Sequence, residues 1–162
     1  MSANTRLDEG NARRIKEEIQ ALARQAPKSR LEPTLAKGAT KVWVIYGHSE
    51  DDERVARGLV ERLRGDGFAA GWDRDLLPGE EFDVQIERSI RECDSAVVIW
   101  SDKAKASRYV RSEATLALEL DKLVTVHAEG FDISTLSMRF RGLQATSVAE
   151  YEKLCRKLQG AA

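Results

Sequence analysis

Two short runs, Lys41–Tyr46 (KVWVIY) and Ser95–Trp100 (SAVVIW), are almost continuously apolar, and they constrain the fold more than any other feature of the chain. A strand with one wet face alternates apolar and polar residues, whereas a run that is apolar throughout must be covered on both sides. The segment after the first run has helical spacing. Ser49 offers an N-cap before the acidic first turn Glu50–Glu53, and Val55, Leu59 and Leu63 recur on one face. Gly65 and Gly67 close that helix, and Phe68–Trp72 reads as a second, shorter strand.

The alternation continues. A loop, DRDLLPGEEF, leads to a helix with Phe82, Ile86 and Ile90 four residues apart. Beyond the second apolar run the pattern predicts a helix from about Ser107 to Asp121 and a strand over Leu123–His127. Phe131–Phe140 reads as short, irregular helix, and Gly142–Ala145 as a fifth, edge strand. Ser147-Val-Ala-Glu150 is a capping box for the last helix. Five such units in about 120 residues predict an α/β fold of the flavodoxin-like, doubly wound kind: a five-stranded parallel sheet in the order 2-1-3-4-5. In that order the first and third strands are neighbours whose connections leave in opposite directions. The crevice outside their carboxyl ends is the expected ligand site, lined by Tyr46, Gly47 and His48 on one side and Ser101 and Asp102 on the other.

Residues 1–39 have a different texture. From about Asp8 to Gln25 the chain is rich in Ala, Arg, Glu and Gln, with Ile15, Ile19 and Leu22 at helical spacing. Pro27 ends that segment, and Pro33 and Gly38 mark a connector. The reading is an extra N-terminal accessory helix and connector over 1–39, followed by the α/β domain over 40–162. Its narrow apolar stripe suits packing on the domain, on a sensor or partner protein, or on a second copy.

Charge is close to balanced, with 26 basic and 27 acidic side chains. No global field draws the chain to nucleic acid or to an anionic membrane. Lys and Arg outnumber Asp and Glu in residues 1–40, which reads as a solvated basic helix. The N-terminus carries no apolar signal core, and no stretch approaches a membrane span. Cys93 and Cys155 stand far apart without partner spacing, as expected in a reducing, cytoplasmic setting.

Several chemistries lack their residues. Gly65 and Gly67 follow a helix instead of preceding one, so they are a helix stop and no phosphate cradle. His48 and His127 have no metal-ligand spacing with the cysteines, and no metal is expected. His48, Ser49 and Asp51 are too close in sequence to surround one substrate as a triad. A phospho-acceptor regulator of the same architecture needs acids directly after the first strand and a Lys after the fifth. Here the acidic cluster Glu50–Asp52 comes late, and nothing basic follows the fifth strand until Lys153.

Three segments, in order and on the predicted elements, resemble the Toll/interleukin-1 receptor and resistance (TIR) family. Val44-Ile-Tyr46-Gly-His48-Ser, with Glu50-Asp-Asp52 and the Val55–Leu59 helix behind it, is similar to the family's first box. Trp72-Asp73-Arg-Asp75-Leu-Leu-Pro78-Gly79-Glu-Glu-Phe82 resembles its BB loop. Ser107-Arg-Tyr109-Val-Arg-Ser-Glu113 resembles the Ser-x-Trp-x-x-x-Glu stretch of its enzymatic, bacterial-type members. The resemblance spans roughly residues 40 to 158.

It implies NAD+ glycohydrolysis, with NAD+ as substrate and no further cofactor. The products would be nicotinamide and ADP-ribose or a cyclic form of it, formed on self-association, in bacterial immune defence or as an effector. Nicotinamide leaves from a cationic ring and departs neutral, so one carboxylate suffices, in contrast to the paired acids of glycosidases. Glu113 is the implied catalytic residue, against the alternative of a solvated helix glutamate. Tyr109, one turn earlier on the same face, either stacks on the substrate in place of the family's Trp or is a core-edge aromatic. Tyr46 lines the pocket or simply ends the core. Gly47 stands where the family commonly has Ser and allows close backbone approach. His48, Asp73, Leu77 and Ser101 complete the implied substrate contacts with Pro78 and Gly79, a type II turn pair that is also a mobile lid in the family. Trp72 and Trp100 are expected in the core. The alternative function is a non-catalytic TIR adaptor acting through TIR–TIR contact, and the chain is also compatible with being a piece of a longer protein.

Overall fold

Side chains alternate across a strand, so each apolar run supplies two faces. In the structure, a computed structural model that describes residues 38–76 and 81–160, this is how the core is built. Val42 and Val44 of β1 (Lys41–Ile45) and Val97 and Ile99 of β3 (Ser95–Trp100) point to one side. There they meet Ala56, Val60 and Leu63 of α1 (Glu50–Gly65) and Leu154 and Leu158 of α6 (Tyr151–Leu158). Trp43, Ile45, Val98 and Trp100 point to the other side. They pack with Ile90 of α2 (Phe82–Glu92), with Val110, Ala114 and Ala117 of α4 (Arg108–Glu119), and with Phe140 of α5 (Met138–Arg141).

The remaining strands are β2 (Ala69–Trp72), β4 (Leu123–His127) and β5 (Ala145–Ser147). The sheet runs β2-β1-β3-β4-β5, and every pair is parallel, with Val44 opposite both Trp72 and Val97. This is the doubly wound order expected from the sequence. Trp72 and Trp100 are both buried, as expected. The accessory helix and connector expected over residues 1–39 lie outside the described residues, apart from the last two positions, Gly38 and Ala39.

Local chemistry sets the boundaries. Ser49 caps α1 by accepting the Asp52 N–H at 3.1 Å, and Gly67 stops it with a φ of +92° that other residues rarely adopt. Three elements differ from the expectation. A five-residue helix, α3 (Asp102–Ala106), follows β3 directly, capped by Ser101. The fifth strand is Ala145–Ser147, not Gly142–Ala145, and the last helix begins after Glu150. Pairing with His127 holds Ser147 in the strand. The Glu150 carboxylate still reaches back to the Ser147 N–H at 3.4 Å, so half of the capping box forms as a turn ahead of the helix.

Candidate active site

The carboxyl ends of β1 and β3 open where the topology reverses, and α3 packs directly over them. A Cβ on Gly47 would collide with the Asp52 carboxylate and stand 2.7 Å from the Ala104 nitrogen. Ser101 is buried, donates to Asp52 Oδ2 at 2.7 Å and accepts from the Ala104 N–H at 3.1 Å. Gly47 and Ser101 therefore fasten α3 and the Asp52 carboxylate to the sheet. Close backbone approach at Gly47 is real, and the approaching groups belong to the protein. Beside this contact lies a cleft of about 310 Å³ lined by Ser49, Asp51, Asp52, Asp102 and Phe131 among others.

Tyr46 and His48 turn the other way. Tyr46 is buried, and its hydroxyl donates to Asp73 Oδ1 at 2.5 Å; His48 Nε2 lies 3.7 Å from Asp73 Oδ2 and is mostly exposed. Burial and the Asp73 carboxylate both push the Tyr46 hydroxyl up, so it stays a neutral donor. Asp75 shapes the start of the loop. It accepts the Trp72 N–H at 3.2 Å and pairs with Arg64 at 2.7 Å, while Arg64 Nε also donates to the Ala70 carbonyl. Asp73 is thus anchored at the end of β2 by a short 3₁₀ turn, Asp73–Asp75.

Glu113 and Tyr109 share one face of α4, one turn apart, and line a cavity of about 430 Å³ between α4 and α2. Its opposite wall is Asp83, Ile86, Glu87 and Ile90. Tyr109 is 66% exposed at the rim, while Glu113 is only partly accessible. Burial holds the Glu113 carboxyl well above the usual range, at about 7, and the negative charges of Asp73 and Asp83 add to the effect. Asp73 accepts from Tyr46 and its charge also acts on Glu113, but Tyr46, His48 and Asp73 do not line the Glu113 cavity. Ser101 and Asp102 border the separate cleft instead.

Leu77, Pro78 and Gly79 lie outside the described residues. Asp83 and Glu87 were not singled out in the sequence. Their signal was available, since residues 83, 86, 87 and 90 follow the three-and-four spacing of one helix face. Among the described residues no group of His, Cys, Asp and Glu could hold a metal ion, and no helix is long and apolar enough to cross a membrane.

A five-stranded doubly wound sheet in the order 2-1-3-4-5, with a half-buried glutamate on the helix after the third strand's short capping helix, defines the architectural class. The sequence model of the TIR domain family matches residues 42–158, and the chain belongs to that family. Solved structures agree on the fold. The TIR domain of the Toll-related receptor TRR-2 from Hydra magnipapillata aligns with a TM-score of 0.64 at 17% identity, covering 73% of this chain and 97% of that one. A metazoan TIR-STING receptor from C. gigas aligns at 0.59 and 20% identity, covering 75% of this chain and 40% of the receptor. The TIR domains of the activated Roq1 resistosome, which recognises the effector XopQ, align at 0.53 and 17% identity over 76% and 81%. No curated protein sequence matches the chain.

Proposed function

We propose that this TIR domain is an NAD+ glycohydrolase that breaks the bond between nicotinamide and ribose, with Glu113 as its catalytic carboxylate. The observation that carries the reading is the placement of Glu113 beside Tyr109 in a cavity whose other charged groups are also acidic: Asp83, and Glu87, which pairs with Arg91 at 2.9 Å. Such a cavity attracts a cation, and the nicotinamide ring of NAD+ is one. As the bond breaks, its electron pair leaves with nicotinamide and positive charge moves to the ribose. The ionised Glu113 stabilises that charge and orients the ribose hydroxyls. Water, or a nitrogen of the adenine, then bonds to the ribose carbon to give ADP-ribose or a cyclic product.

Activity depends on self-association through TIR–TIR contacts. The exposed Phe82 and Val84 at the start of α2 supply apolar surface for such contacts. The setting is cytoplasmic, in bacterial immune defence or as an effector, with residues 1–39 available to a sensor or partner protein. The same exposed side chains favour a second reading, a non-catalytic TIR adaptor.

The deciding experiment is incubation of concentrated protein with NAD+, followed by chromatography for nicotinamide. Wild-type chain releases it, and Glu113→Gln does not while keeping a cooperative thermal melt. Undiminished release from the variant would sink the site assignment. No release from wild-type chain under conditions that promote assembly would favour the adaptor.

A further inference from the structure

The Glu113 cavity is hostile to part of the ligand proposed for it. A dinucleotide carries two phosphate charges as well as its cationic ring, and every charged group lining that cavity is acidic. The phosphates must therefore lie elsewhere, within reach of the ribose.

On the adjoining face of α4 is a groove of about 660 Å³ lined by Arg108, Arg111 and Arg139. Ser112 and Leu116 line both cavities, so they form the low ridge between them. At 3.6 residues per turn, Tyr109 and Glu113 face one side of that ridge and Arg108 and Arg111 the other. Arg139 reaches in from α5 and donates to Thr115 Oγ1 at 3.3 Å, which holds its guanidinium over α4.

Five other arginines on the surface are paired with carboxylates, and among the described residues these three are not. Arg54, Arg57, Arg64, Arg74 and Arg91 each lie within 4.0 Å of a carboxylate. Among the described residues, Arg108, Arg111 and Arg139 have no such partner, although Glu119 also borders the groove. Three guanidinium groups with no described carboxylate within 4.0 Å converge on one concave surface, where Arg111 Nε also donates to the Ser107 carbonyl at 3.4 Å. Such a set suits a diphosphate, whose oxygens accept paired N–H donors.

We infer that the groove formed by Arg108, Arg111 and Arg139 binds the diphosphate of the dinucleotide whose nicotinamide–ribose end enters the Glu113 cavity. The inference rests on the dinucleotide reading of that cavity. Its test separates the two by measuring binding without turnover.

The probes are ADP and inorganic pyrophosphate, titrated by calorimetry into the 162-residue Glu113→Gln chain, with and without Arg111→Gln and Arg139→Gln together. The paired substitution should weaken ADP roughly tenfold or more, and added salt should weaken the parent more than the variant. Arg156→Gln, on an exposed position of α6, should leave ADP affinity unchanged. In chain retaining Glu113, the paired substitution should raise the KM for NAD+ while kcat holds.

Arginine-dependent ADP binding by a chain that releases no nicotinamide would uphold the groove and remove the glycohydrolase. NAD+ cleavage with KM and ADP affinity unmoved by the paired substitution would overturn the groove alone. Failure of the parent to bind ADP or pyrophosphate would overturn it too. So would a variant that loses only self-association in sedimentation, since the arginines would then serve a second copy of the chain.

Discussion

Replacing Glu113 by Gln should stabilise the fold by an amount set by pH. In the folded chain the carboxyl releases its proton at about 7, where an ordinary glutamate does so near 4.5. A tenfold change in proton affinity is worth about 1.4 kcal/mol, so holding Glu113 ionised in place costs up to about 3 kcal/mol. Between those two pH values the folded chain keeps a proton that the unfolded chain has lost. Stability therefore falls as pH rises through that window, and the whole penalty is present above it. Glutamine has nearly the shape of the neutral acid and does not ionise. At pH 8 the variant should gain roughly 2–3 kcal/mol, and at pH 4 almost nothing, because Glu113 is then mostly protonated in both states. With an unfolding entropy of roughly 2.1 cal/mol/K per residue over about 120 residues, that gain corresponds to a Tm increase of roughly 8–12 °C at pH 8. Thermal melts of both chains by circular dichroism from pH 4 to 8 measure it. Equal Tm values at pH 8, or a gain that does not vary with pH, would refute the claim that Glu113 is held in a repulsive, desolvated cavity.

On the glycohydrolase reading, kcat/KM for NAD+ should fall at acid pH with a limb near 7, because protonated Glu113 cannot stabilise a cation. Asp83→Asn should move that limb to lower pH by removing one of the charges that raise it, and a limb unmoved by this change would exclude Asp83 as a contributor. At Gly47, an added methyl meets the Asp52 carboxylate and the Ala104 nitrogen, so Gly47→Ala should cost about 1–3 kcal/mol of stability. A urea midpoint matching wild type would show that α3 can move away from β1 without loss.

How legible the molecule was depended on whether the determining contacts were local. The runs at β1 and β3 announce burial on both faces, and β4 follows from its own apolar content, so the strand order needed only the crossover rule. Helix α3 left no such trace. Asp102-Lys-Ala-Lys-Ala106 has no apolar periodicity, and only Ala104 is buried, against a glycine more than fifty residues earlier in the chain. Ser101 and Gly47 looked like ligand contacts because they sit at the switch point, yet α3 and Asp52 take up the groups they offer. The capping box at Ser147 formed only in part, since strand pairing with His127 took precedence over the local cap. Glu113 and Tyr109 were legible as a pair from helical spacing. Their partners Asp83 and Glu87 come from another helix, and only its packing against α4 brings the two faces together.

That packing places carboxylates on both walls of one cavity, a costly arrangement in an empty site. The charges of Asp73 and Asp83 raise the energy of ionised Glu113 whenever no cation is present. A positively charged ligand reverses the balance: it favours ionised Glu113 and lowers the pH at which that group gives up its proton. On the glycohydrolase reading the cluster therefore has two linked consequences. It discriminates against the reduced dinucleotide, whose ring is neutral and gains nothing from the acids. It also prepares the carboxylate as the oxidised ring arrives, so that binding and ionisation reinforce each other before the bond to ribose begins to break.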